Sequence, residues 1–418
     1  MSITLVSAVD PYPTDAGKKV VLAGFISYFA ERYGPENVHY IKVGAPPQYD
    51  FPVNLHVVPA PTRSAVALNI TTRVVTGDTS FQEAFLQSRQ TAAAIHRILD
   101  EIPPGLQVYD TVRMAQYAAS DQVAARQICY LDDLFSLRYH RMLRAARRYP
   151  DIRIAPLGNF AEHIPRQLQW LANNRISQRA LLRAERKRIL RSEERVALTF
   201  RRCLLVNDEE ASVLIRRTQV PAHRVQVVPP LLATPTPPNR QYNGSPEFVF
   251  LGLLSLPHND DGLRWFLRAV WPTVLTRRPD ARLRVIGRDA HPDIPELVAQ
   301  WGDSVSIEGY VPDLSGPLGR AAAVVNPLRF GSGVKLKVIE ALGRGVPVVS
   351  TPVGADGIAN GTGTGVLVRR QPAALAKLLC SLTDITRNAR VSAEALGHFE
   401  KRYSRHAVFR AYDRVFAP

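Results

Sequence analysis

Cysteine is scarce in this 418-residue sequence: Cys129, Cys203 and Cys380 are the only three. An odd number spread this widely excludes a disulfide scaffold and reads as buried free thiols of a reducing compartment. No CxxC or HxxxH spacing occurs, which argues against zinc. Long apolar runs are also missing, and none approaches the ~20 residues that span a bilayer. The first residues, MSITLVSAVDPYP, carry no basic segment before Asp10, so no secretory signal is expected. The phosphate loop G-x-x-x-x-G-K-[ST] is absent. So are an RNP aromatic motif, a zinc finger and a basic patch interleaved with aromatics, and nucleic acid is not expected as a partner. Acidic residues are outnumbered, 37 Asp and Glu against 53 Lys and Arg, for a formal net charge of +16. With 46% hydrophobic and 22% charged residues the chain is otherwise an ordinary globular mixture, which excludes disorder and a coiled-coil rod.

The excess charge is concentrated. Residues 138–202 hold 17 Lys and Arg against 5 Asp and Glu, a local excess of 12. Two segments there, 138–150 and 179–203, are Arg-rich with helical periodicity. In the second, Leu181, Leu182, Ala184, Ile189, Leu190, Val196 and Leu198 mark an apolar face. A face-divided basic helix suits an anionic membrane surface or an acidic partner. It is equally what a solvated helix with i,i+4 ion pairs would look like.

Short β-branched runs alternate with helical stretches along the whole chain. Seven strands are expected before residue 229, from ITLVSA (3–8) to VQVVP (225–229). Six are expected after it, from FVFLG (248–252) to GVLVR (365–369). Such alternation predicts parallel sheets covered by helices. Between the two series, PPLLATPTPPNRQYNGSPE (229–247) has six prolines and no apolar period, and reads as a linker. Ligands of open parallel sheets sit beyond the carboxyl ends of the strands, so the turns after strands are where chemistry is expected.

One such turn is DPYPTDAGKKVV (10–21), where Gly17 would permit close approach of a ligand to a helix N-terminus. The richest is NPLRFGSGVKLKVIEALGRGVPVVSTPVG (326–354). It reads as a strand to Leu328, a Gly331-Ser332-Gly333 turn, a helix over about 334–342, and another strand and turn. The two glycines expose backbone N–H groups where a diphosphate can bind, and Arg329, Lys335 and Lys337 place positive charge nearby. Gly333, Lys337 and Glu340 share a helix face. Glu340 could accept hydrogen bonds from sugar or ribose hydroxyls, or merely form an i,i+3 ion pair with Lys337 worth ~0.2–0.5 kcal/mol. In the turn YLDDLFSLRY (130–139), a carboxylate of Asp132-Asp133 could stabilise oxocarbenium charge or take an acceptor proton. Alternatively, one Asp caps the following helix and the other pairs with Arg138. Arg113 follows an earlier strand and His258 a later one.

Segment 326–354 resembles the donor-binding motif of retaining GT-B glycosyltransferases of the family 4-like group (glycosyl transferases group 1). Their form is E-G-F-G-x-x-x-x-E-A followed by G-x-P-V-V-x-[ST]. Glu340-Ala341 and the stretch Gly345–Thr351 match it. The resemblance extends to 248–267, to 282–287, to the base-packing turn in 307–328 and to the glycine turn at 10–19. It implies that Glu340 holds the donor ribose, that Val311 and Asp313 flank the base, that Gly17 lies near the diphosphate, and that Gly333 lies under the donor. Ser332 stands where the family has its first glutamate. Leu253 stands where an Arg follows the donor-domain glycine, here Gly252, and the family's next Lys is missing. Arg329, Lys335 and Lys337 would replace those cations, as in the variant P-L-R-x-G-S-G-x-[KR]-x-K-x-x-E-A.

The resemblance implies two Rossmann-like α/β domains facing across a cleft. These would be an acceptor domain (1–228), a linker (229–246), a donor domain (247–390) and a helical segment (391–418) returning to the first. It implies transfer of a sugar from a nucleotide-diphosphate donor to a glycan or lipid-linked acceptor, with retention and without a metal or other cofactor. Asp132, Lys335 and Arg329 are the expected catalytic groups. The expected location is cytoplasmic, with residues 138–202 facing an anionic membrane. The substitutions at Ser332 and Leu253 leave open a catalytically inactive scaffold that binds glycan or nucleotide.

Overall fold

The computed structural model describes residues 1–77, 79–119, 126–149, 175–232 and 240–416. The centre of the basic stretch (150–174) and of the Pro-rich segment (233–239) lie outside the described residues. The chain divides into two compact units. Of the described residues, the first takes those in 1–143, 175–230 and 411–416. The second takes 144–149, 231–232 and 240–410.

The first unit is a seven-stranded sheet: β1 Ser2–Ser7, β2 Val38–Val43, β3 Asn54–Val58, β4 Gly105–Asp110, β5 Gln127–Asp132, β6 Arg202–Leu205 and β7 Val225–Val227. The order is β3-β2-β1-β4-β5-β6-β7 and every pairing is parallel. The chain steps outward from β1 to β3, then returns to β4 and steps the other way. The reversal between β1 and β4 is a topological switch point, where open α/β sheets bind ligands. Cys129 and Cys203 are buried free thiols in register on β5 and β6. On one side of the sheet an aromatic core forms around Phe25 of helix Gly17–Tyr33. Its ring lies 5.1 Å from Tyr130 and 5.2 Å from both Tyr412 and Phe416, each edge-on. Tyr412 and Phe416 come from the last helix, Arg405–Phe416.

The second unit repeats the scheme with six parallel strands: β8 Glu247–Leu251, β9 Arg282–Ile286, β10 Val305–Gly309, β11 Ala323–Asn326, β12 Val348–Ser350 and β13 Val366–Val368. The order is β10-β9-β8-β11-β12-β13, with the switch point between β8 and β11. Alternation along β8 divides its side chains between two cores. Phe248 and Phe250 join Trp271 and Val285 on one face, and Val249 and Leu251 join Val324, Ile339 and Val348 on the other. Strands buried on both faces require near-continuous apolar runs, which is how these read in the sequence. Helix Ile385–Arg402 belongs here through Val391, Ala395 and Phe399, so the expected return segment divides. Only from Ala411 does the chain group with the first unit. Among the described residues no helix is long and apolar enough to cross a membrane.

Candidate functional site

In the second unit the strongest sequence motif falls at the switch point. Strand β11 ends at Asn326, and the following turn carries Gly331 at φ +128° and Gly333 at φ +75°. Side chains are disfavoured at such angles, which is why glycine stands at both. Helix Leu336–Gly343 starts two residues later than the sequence suggests, with Lys335 as an extended N-cap. Its first turn has no side-chain cap and no acidic residue, which leaves the positive end of its dipole unneutralised.

Each candidate cation is already engaged. Arg329 holds Asp261 with Nε 2.9 Å from one carboxylate oxygen and Nη2 on the other. Lys335 is buried and folds onto its own turn, donating to the carbonyls of Ser332 (2.8 Å) and Gly333 (2.5 Å). Lys337 turns inward rather than toward Glu340. Its Nζ donates to the Leu251 carbonyl at the end of β8 (2.7 Å) and to Asn259 Oδ1 (2.9 Å), and lies 4.9 Å over the Phe250 ring. Burial, assisted by the charge of Lys335, lowers its pKa to about 7.

Glu340 therefore has a different partner, Arg344 one turn on, at 3.2 Å. Arg344 Nη1 also donates to Ser315 Oγ (3.1 Å), and the Ser315 N–H donates to Asp313 Oδ1 (2.8 Å). The Ser315 hydroxyl first, and then this N–H, hold the Asp313 carboxyl below its usual range, with a smaller contribution from Arg344. A chain of contacts thus links Glu340 to Asp313, 27 positions earlier in the sequence. Val311 packs against the same core as helix Leu336–Gly343.

The opposite wall of the turn was not legible in the motif. Asn259, in the first turn of helix Pro257–Ala269, accepts from Lys337 and donates to the Leu253 carbonyl (2.9 Å). A Cβ on Gly252 would lie 2.8 Å from the Asn259 amide nitrogen, so this glycine lets the turn close on the asparagine. His258 stands beside Gly331, 3.8 Å from where its Cβ would be, with Phe330 edge-on.

In the first unit the polar groups at the switch point come from distant segments. Ser7 Oγ donates to Asp110 Oδ2 (2.6 Å), and Lys18 Nζ lies 2.7 Å from Asp110 Oδ1. Gly17 is the exposed first residue of helix Gly17–Tyr33 and places Lys18 there. Two non-glycine residues at adjacent strand ends have left-handed backbones, Thr111 after β4 (φ +63°) and Asp132 at the end of β5 (φ +70°). For a β-branched threonine this costs on the order of 1–3 kcal/mol, and such strain collects at functional sites.

Asp132 accepts from the Tyr130 hydroxyl (2.7 Å). Burial raises its carboxyl pKa, against the pull of Lys18 and with a push from Asp133. Asp133 takes both Nε (2.9 Å) and Nη2 (2.6 Å) of Arg138. Acids from elsewhere in the chain take N–H groups at the start of the next helix, Phe135–Arg148. Glu193 accepts from the Ser136 N–H (2.9 Å) and Glu210 from the Leu134 N–H (2.7 Å). Arg113 and Arg138 lie 5.4 and 4.7 Å from the Phe135 ring centroid. Among the described residues no group of three or more His, Cys, Asp or Glu is placed to hold a metal ion.

With this geometry in view, the comparisons with known proteins bear on the second unit. Residues 245–384 match the family described as glycosyl transferases group 1. The match is confined to this region, about a third of the chain. The match covers the Gly252 turn, Val311–Asp313, the Gly331–Gly333 turn and Glu340, and stops short of the first unit. A curated relative, an uncharacterized 44.6 kDa protein in the cps region of Klebsiella pneumoniae, is 25% identical over 168 residues. Those residues are 38% of this chain and 43% of the relative, so the chain spans less than half of the relative's length.

Solved structures carry the fold across both units. TarM aligns with a TM-score of 0.64 at 8% identity, covering 100% of this chain and 99% of its own. HepE from Anabaena, solved with UDP, aligns at 0.62 with 11% identity over 100% of both chains. WaaG, a glycosyltransferase involved in lipopolysaccharide biosynthesis, aligns at 0.55 with 15% identity over 100% of both. At these identities the likeness is one of fold, and the fold is GT-B. Within the group 1 region the sequence pointed to Glu340, Asp313, Val311 and the glycine turn. It missed Asn259, whose only signal is its place in the first turn after β8. In the first unit it missed Ser7, Lys18 and Asp110, which no local motif joins.

Proposed function

We propose that this chain is a retaining glycosyltransferase. It would move a sugar from a nucleotide-diphosphate donor to a hydroxyl of a glycan or lipid-linked acceptor in cell-surface polysaccharide synthesis. The observation that carries the proposal is the linked set Glu340–Arg344–Ser315–Asp313 beside the Gly331–Gly333 turn, all at one switch point of the group 1 region. Glu340 is partly exposed and would take the ribose hydroxyls. Val311 and Asp313 would flank the base, with Ser332 and Gly333 under the donor. The diphosphate would meet the uncapped helix N-terminus, where Lys335 and Lys337 supply positive charge without a metal and Arg329 adds to the field. UDP is the first nucleotide to try, because HepE was solved with UDP and with UDP-glucose.

In the first unit, Gly17 would allow close approach of the donor diphosphate to the backbone at a helix N-terminus. Asp132, with its pKa raised by burial, is suited to take the acceptor proton or to face developing positive charge on the sugar. A second reading, a scaffold that binds donor or glycan without turnover, is favoured by one observation. Arg329, Lys335 and Lys337 are all engaged by protein groups, and Ser332 cannot make the contact of a glutamate.

Donor hydrolysis without acceptor separates the two. Sugar release from UDP-glucose or another nucleotide sugar, lost in Glu340→Ala and in Asp132→Asn, is the expected result. Nucleotide binding with no release from any donor tried would establish the scaffold.

A further inference from the structure

The long helix Arg175–Thr199 consumes its own acids. Glu185 is buried and accepts from the N–H groups of Phe81 (2.8 Å) and Gln82 (3.2 Å), at the start of helix Phe81–Ala84. Glu193 is buried on Ser136 and Arg217. Glu194 lies 3.0 Å from Arg217 Nε. None of the three is spent on an i,i+4 pair along the helix surface, which removes that explanation of the charge. Leu182, Ile189 and Val196, seven apart, face inward. Arg183, Lys187, Arg191 and Arg195, four apart, are exposed and form one stripe. Arg195 bonds Glu83 (2.6 Å). The stripe ends at Leu198, an apolar side chain 57% exposed, although periodicity had assigned it to the buried face.

A second apolar exposure lies in the same layer. The chain returns from β3 over β2 and β1 to β4 in the direction it later takes from β5 to β6. Right-handed crossovers put both connections on one side of the sheet. The first of these carries helix Arg63–Asn69 and its continuation, with Leu68 61% and Val75 73% exposed.

We propose that the Arg183–Lys187–Arg191 stripe, with Leu198 at its end and Leu68 and Val75 in the same layer, docks this protein on a bilayer containing anionic phospholipid. Cations without acids attract anionic headgroups, and exposed apolar side chains enter the acyl boundary. A soluble polyanion such as nucleic acid would use the cations and leave the apolar groups in water. Each cation adds roughly fivefold to binding of a charged surface, so three add on the order of a hundredfold. The inference is independent of the transferase reading, because vesicle binding is measured without turnover.

The test is sedimentation of the full chain with vesicles of phosphatidylcholine alone or mixed with phosphatidylglycerol. The expected result is binding to the mixed vesicles only, released as salt is raised to about 0.5 M. Arg183→Gln/Lys187→Gln/Arg191→Gln should weaken it on the order of a hundredfold. Arg268→Gln/Arg277→Gln/Arg282→Gln, which removes three exposed cations from the second unit, should change it little. Absence of wild-type binding, or equal loss in the two variants, would overturn the proposal. So would a single-stranded oligonucleotide that binds the wild type while the mixed vesicles do not.

Discussion

The two switch points are built in opposite ways. In the second unit, a short contiguous motif supplies the turn, the cations and the carboxylate; its two lysines are satisfied by carbonyls and one asparagine, and Arg329 alone pairs with an acid, Asp261. In the first unit, Lys18, Asp110, Arg113, Asp132, Asp133 and Arg138 arrive from separate segments as opposed charges, joined by the Ser7 hydroxyl. The acids that take N–H groups at the neighbouring helix start, Glu193 and Glu210, come from farther still. The contrast teaches that the second unit's candidate site can be changed locally, whereas the first unit's polar cluster is part of the force that holds its unit together.

The largest expected effect tests that claim. Asp110→Ala would leave Lys18 and Ser7 without their buried partner, and loss of one member of a buried pair costs ~3–5 kcal/mol. Denaturant unfolding should show this loss, and no comparable loss for Glu340→Ala. Equal stabilities for the two variants would erase the contrast.

Next comes the pH dependence of stability. Burial raises the Glu185 pKa to about 7, against 4.5 for the free side chain. The folded state then holds a proton that the unfolded chain has released, so this group makes stability fall as pH rises from about 4.5 to about 7. The full cost above that window is about 3 kcal/mol. In Glu185→Gln the slope of unfolding free energy across that interval should flatten. An unchanged slope would mean the carboxylate is ionised throughout.

A smaller effect concerns Lys337. With its pKa lowered to about 7, its charge is lost between pH 6 and pH 8. Nucleoside diphosphate affinity should fall several-fold across that range and be nearly flat in Lys337→Met, as titration calorimetry would show. The smallest is the stability of Glu340→Ala itself. Only a partly exposed i,i+4 pair with Arg344 is removed, and thermal unfolding should shift by no more than ~0.5 kcal/mol.

How much was readable from the sequence follows from the same contrast. The thirteen strands of the described residues appear where alternation placed them; the central ones, such as β1 and β8, are buried on both faces and must be apolar. The GT-B fold and the group 1 match were legible because the Val311–Asp313 turn, the glycine turn and Glu340 follow one another closely in the sequence within one domain. Lys337 was misjudged. Its spacing to Glu340 is right for a surface pair, but no pattern in the sequence reveals the polar end of β8 that draws its ammonium inward. Leu198 was misjudged for a related reason, since a long helix does not keep one straight apolar face. The charge network of the first unit was illegible because residues separated by as many as 103 positions, as Ser7 and Asp110 are, meet only in the fold.

The most direct test of the central claim is a thermal-shift comparison of wild type and Glu340→Ala with UDP, GDP, dTDP, ADP and CMP. A ligand at 100 times its Kd stabilises by ~2.7 kcal/mol. The account predicts that one nucleoside diphosphate, with UDP tried first, raises the wild-type midpoint and leaves that of Glu340→Ala almost unmoved. Equal stabilisation of both proteins, or none by any nucleotide, would contradict a donor site at the Gly331–Glu340 turn.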